Sequence, residues 1–78
     1  MKLPRSVDAD RLIRALEHFG YSVIRQKGSH IRLKHDGPPP HFATVPKHYP
    51  LKIGTLHAIL VDVAQARGIE FETIVGML

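Results

Sequence analysis

The run Lys27-Gly28-Ser29-His30 sets a histidine directly after a glycine turn, with Arg25, Arg32 and Lys34 within a few residues. Histidine is the usual general base near neutral pH, because its ordinary pKa is about 6.5. Cations beside such a base can hold a phosphate and stabilise the charge that develops on it during reaction. RNA suits this equipment. Its 2′-hydroxyl is an internal nucleophile next to the scissile phosphate. A protein need only take that proton, stabilise the phosphorane and assist the leaving 5′-oxygen, so the route requires no metal and no cofactor. DNA lacks the 2′-hydroxyl and would be bound without being cut this way. The same four residues also fit a plain turn in which His30 only hydrogen-bonds its surroundings, and residue types alone leave both readings open.

Other side chains compete less well. Ser29 as a nucleophile would need the acidic member of a triad, and none stands near it in sequence. Its hydroxyl is better read as capping the turn or touching a phosphate. His48, after Pro46-Lys47, could be a second phosphate contact or the general acid. His18 falls late in a helix, where imidazolium suits the dipole, and His57 falls off an apolar stripe. The gaps between His30, His35, His41 and His48 match no established zinc spacing, so no metal site is expected.

Formal net charge is +4 over 78 residues, and the placement of charge is more informative than its sum. Residues 21–57 hold Arg25, Lys27, Arg32, Lys34, Lys47 and Lys52 against Asp36 alone, with five of the six histidines. Such a stretch suits a polyanion or an acidic partner. Cysteine is absent, which excludes disulfides, thiolate zinc sites and a cysteine nucleophile and is compatible with the expected cytoplasmic location. The basic start Met1-Lys2-Leu3-Pro4-Arg5 has no apolar run behind it, so it does not have the pattern of a secretory leader. No stretch has the length of a membrane span. The length leads us to expect one domain over residues 1–78.

These residues need elements to position them. A helix is predicted over about 7–19, because Ala9, Leu12, Ile13, Leu16 and Phe19 recur at helical spacing. Ser6 is its expected N-cap, Asp8 and Asp10 fall in its first turn, and Gly20 ends it. A hairpin follows: Tyr21–Gln26, a turn at Lys27-Gly28-Ser29, then His30–His35. In the second strand Ile31 and Leu33 point one way and His30, Arg32 and Lys34 the other. A two-residue turn centred on Lys27-Gly28 would put Arg25 opposite His30. The loop Asp36–Pro40 interrupts the ladder, and Phe42–Val45 resumes it as a third strand. Lys47–Lys52 is a basic connection. A second helix runs from about Gly54 to Arg67, with Leu56, Ile59, Leu60 and Val63 on its buried stripe. A short helix bearing Phe71, Ile74, Val75 and Leu78 closes the chain. The order α-β-β-β-α-α indicates an α+β domain: a three-stranded antiparallel sheet with helices on one face. The other face, carrying His30, Arg32 and Lys34, meets solvent.

The chain resembles the HicA toxins, also called YcfA-like proteins, along nearly its whole length. The resemblance is carried by Phe19-Gly20-Tyr21 at the helix end, Val23 and Arg25 through His30, Thr44-Val45-Pro46, His48, Gly54-Thr55-Leu56 and Ile59-Leu60. It implies a fold like a double-stranded-RNA-binding domain. It also implies a ribosome-independent endoribonuclease, the toxin of a type II toxin–antitoxin system, which cleaves mRNA and is neutralised by a HicB-type antitoxin. The family's essential histidine corresponds to His30, with Gly28 and Ser29 completing its motif. RNA-binding roles for Arg25, Lys27, Arg32, Lys34, Lys47 and His48 are inferred from placement. The chain departs from the family pattern in its Pro38-Pro39-Pro40 run and in a slightly short His48-Tyr49-Pro50-Leu51 segment.

Two other readings stand beside this one. A non-catalytic RNA-binding module of the same topology would bind without cutting. Against it, the second helix lacks at its start the lysine cluster with which double-stranded-RNA-binding domains span a groove. A protein-interaction subunit would use the basic face only to dock an acidic partner.

Overall fold

The computed structural model describes residues 3–78, so Met1 and Lys2 of the basic start lie outside the described residues. The elements follow in the expected order: α1 Ala9–His18, β1 Ser22–Lys27, β2 His30–His35, β3 His41–Pro46, α2 Ile53–Arg67 and α3 Phe71–Val75.

Helix α1 buries Ala9, Leu12, Ile13, Ala15 and Leu16, the stripe that its spacing requires. Its N-cap is Asp8, not Ser6. The Asp8 carboxylate accepts the Arg11 N–H at 2.8 Å from an extended backbone, whereas Ser6 has φ 59° and is turned away from cap geometry. At the other end the Tyr21 N–H donates to the Leu16 carbonyl and the Gly20 N–H to the Glu17 carbonyl. That paired closure needs a left-handed residue, and Gly20 supplies it at φ 97°.

The sheet is antiparallel in the order β1-β2-β3. Lys27 pairs with His30, so the tight turn is Gly28-Ser29 and Arg25 faces Arg32, two positions along β2 from the expected His30. Gly28, at φ 57°, takes the first turn position, where the right-handed twist of a hairpin favours glycine. The displacement is an even number of positions, so Arg25 and Lys27 still share a face with His30. A bulge between Val23 and Arg25 breaks the ladder. All six residues of β1 are exposed, because α1 and α2 pack over β3 and leave the β1 edge uncovered.

Ile31, Leu33, Ala43 and Val45 turn to the helices and join Leu12, Leu16, Leu56, Leu60, Val63 and Ile74 in the core. Each fully buried leucine there contributes about 1.5–3 kcal/mol. Ile59 is only half-buried at the margin of the α2 stripe. The connection after β3 is pinned to the start of α1: the Ala9 N–H donates to the His48 carbonyl at 3.3 Å, and the Leu51 N–H to the Val7 carbonyl at 2.8 Å.

Candidate nucleic-acid interface

The open sheet face is a ladder of three rungs across the strands. Lys27, His30 and Pro46 form the rung next to the turn. Arg25, Arg32 and Thr44 form the middle one, and Ser22, Lys34 and Phe42 the last. Alternation in β2 puts His30, Arg32 and Lys34 on this face by necessity, since Ile31 and Leu33 are buried on the other.

Arg25, Lys27, His30, Arg32 and Thr44 line one depression of about 210 Å³. Three of the five are cations, no carboxylate is among them, and His30 itself is exposed. Arg32 Nη1 donates to Thr44 Oγ1 at 3.2 Å, which fixes the guanidinium across the strand pair. Thr44 was not singled out from sequence as a lining residue. The signal was available, because Ala43 and Val45 point inward and leave Phe42 and Thr44 facing out.

The remaining predicted residues lie around this depression. Gly28 and Ser29 form the turn, and the Ser29 carbonyl accepts the Lys47 N–H at 2.6 Å. Lys34 stands at the far rung, paired with Asp36 at 3.8 Å. Lys47 and His48 line a second depression with Asp8, Asp10 and Tyr49, beside the acidic start of α1. The structure therefore groups Arg25, Lys27 and Arg32 with His30 and sets Lys47 and His48 apart from that group.

His35 and His41 are engaged on the helix side. Tyr21, only 2% exposed, places its hydroxyl 2.7 Å from His41 Nδ1, and His41 Nε2 lies 3.2 Å from the Asp62 carboxylate. His35 Nδ1 accepts from the Gly37 N–H and from Arg67, whose guanidinium also donates to the Pro39 carbonyl. Burial raises the Tyr21 phenol above its ordinary value; Arg67 opposes the rise and Asp62 adds to it. This cluster clamps the proline loop to α2. Among the described residues no three His, Asp or Glu side chains converge as a metal-binding group.

Fold and site together define a small α+β domain with a bare, cationic sheet face that carries one exposed histidine in a depression. The chain belongs to the HicA toxin family: the family model described as the HicA toxin of bacterial toxin–antitoxin matches residues 9–66, from the start of α1 to the last turn of α2. Searches of curated proteins and of solved structures gave no significant match. Among the described residues no helix is long and apolar enough to cross a membrane.

Proposed function

We propose that this toxin is a metal-independent, ribosome-independent endoribonuclease that cleaves mRNA with His30 as general base, acting as one domain in the cytoplasm. The observation that carries this reading is the depression in which His30 sits with Arg25, Lys27, Arg32 and Thr44 and no carboxylate. A phosphate seated there meets donors from three side chains of β1 and β2. His30 takes the 2′-hydroxyl proton, the 2′-oxygen attacks phosphorus, and the bond to the 5′-oxygen breaks. The balance is one P–O bond formed, one broken, and one proton passed from the 2′-oxygen to the 5′-oxygen. The products are a 2′,3′-cyclic phosphate and a 5′-hydroxyl. The cations act most strongly on the dianionic phosphorane, where charge is greatest. Ser29 and Gly28 hold the turn that fixes His30, and Lys34, Lys47 and His48 extend RNA contact beyond the depression.

A HicB-type antitoxin neutralises the toxin by covering the His30 face with carboxylates set against Arg32, Lys34 or Lys47. A complex with that face open to solvent would count against direct blocking.

The test is cleavage of a defined mRNA by the wild type and by His30→Ala, in chelator, with end-group analysis. The expected result is cutting to 2′,3′-cyclic phosphate ends by the wild type, and a loss of about 10²–10⁴-fold in the variant with RNA binding retained. Binding without cutting by either protein would favour the non-catalytic RNA-binding module.

A further inference from the structure

Phe42 has no place in the machinery above. It lies on the open face, 43% exposed, while its neighbour Ala43 enters the core. Its cross-strand partner is Lys34. Arg32 Cζ stands 4.7 Å and Lys34 Nζ 5.8 Å from its ring centroid. The ring contributes little to the core, and threonine or valine would satisfy the strand as well.

We infer that Phe42 is a stacking platform for one unpaired base of single-stranded RNA, with Arg32 and Lys34 holding the flanking phosphates. The inference rests on the RNA reading of the same face and adds a base subsite to its phosphate site. Two observations combine. An aromatic ring on a bare sheet, framed by cations, is the arrangement by which proteins bind unpaired bases, since every base offers a π-face. The spacing also fits. Phe42 is four residues along β3 from Pro46, the partner of His30. At roughly 3.3 Å per residue the ring stands ~13 Å along the sheet from the His30 rung, a reach of about two nucleotides of an extended strand. A base stacked on Phe42 would thus set which phosphate enters the depression. A base-paired duplex cannot present a free face there, so the subsite selects unpaired RNA.

The test uses the full chain carrying His30→Ala, which leaves the RNA intact. In that background Phe42→Trp reports stacking by fluorescence. Short oligoadenylate is expected to quench it, and an abasic oligomer of equal length and charge is not. In the same background Phe42→Leu is expected to bind oligoadenylate roughly tenfold more weakly, the order that one base–aromatic stack contributes, while Phe42→Tyr keeps the affinity. Affinity for the abasic oligomer should be the same in all three. Equal response to both oligomers, or unchanged affinity in Phe42→Leu, overturns the inference. So does a Phe42→Leu effect confined to antitoxin binding, which would make the ring a protein contact. The two readings fail separately: His30-dependent cleavage without quenching removes the subsite alone, and quenching without cleavage removes only the catalytic role.

Discussion

Tyr21 shows how a single side chain joins the two layers. Its ring is buried, so its hydroxyl must be answered, and it is answered by His41, which in turn reaches Asp62 on α2. Tyr21→Phe removes the hydroxyl and leaves His41 Nδ1 without that partner. The expected loss is about 0.5–1.5 kcal/mol, measured by urea denaturation. Burial also gives the phenol a direction in pH. Its folded-state pKa is raised, so the folded protein keeps the proton to higher pH than the unfolded chain. The associated stability is fully present below about pH 10, the unfolded value, and is lost as pH rises through the folded value. Denaturation midpoints followed upward from pH 8 should fall above pH 10 in the wild type and fall less in Tyr21→Phe. Parallel curves for the two proteins would show that the phenol does not contribute.

The β1–β2 pair carries a conflict that a stability argument alone would not produce. Arg25 faces Arg32 directly across the strands, and like charges so placed repel. Thr44 steadies Arg32 from the far side, and both cations line the His30 depression. Arg25→Thr should therefore stabilise the fold by about 0.2–1 kcal/mol while weakening RNA binding. Denaturation and RNA binding measured on the same variant check this, and a variant that loses both has lost structure instead. The element order, the helix spacings and the alternation of β2 were legible in the sequence, because each depends on local periodicity. So was the grouping of Arg25 and Lys27 with His30, Arg32 and Lys34 on the open face, since the two-position displacement of the hairpin keeps its parity as far as the bulge. The N-cap was not legible: Ser6 and Asp8 are both good caps, and only the backbone at Ser6 decides between them. Nor were the bulge and the uncovered β1 edge, which depend on where α1 and α2 settle. The sequence reads His48 as a phosphate contact or general acid from its place after Pro46-Lys47 in the basic connection, whereas it lines the depression beside Asp8 and Asp10. The hydrogen bond from Ala9 that turns the chain toward α1 is a non-local contact with no signal in the residue types around it.

At the scale of the whole molecule, the chain forms a slab of 32 × 31 × 17 Å, about the thickness of one sheet and one layer of helices. One broad side is therefore bare sheet. It carries Arg25, Lys27, Arg32 and Lys34, while Asp62 lies on α2 and Glu72 on α3, in the helical layer. A polyanion meets its strongest attraction on the sheet side, and its binding there releases counterions. Single-stranded RNA touching three or four of those cations should bind with a log–log salt slope of roughly −2 to −3, at about −0.7 per neutralised phosphate. Each of Arg25→Ala and Arg32→Ala should make the slope shallower by about 0.7. Lys47→Ala should change it less, because Lys47 lines the depression that also holds Asp8 and Asp10, whose carboxylates repel a phosphate. Anisotropy titrations across salt, in the His30→Ala background, measure all of these slopes. A slope near zero would remove the phosphate-binding role of the sheet. A larger change for Lys47→Ala than for Arg25→Ala would move the path of the RNA off the three-rung face and around the hairpin turn toward α1.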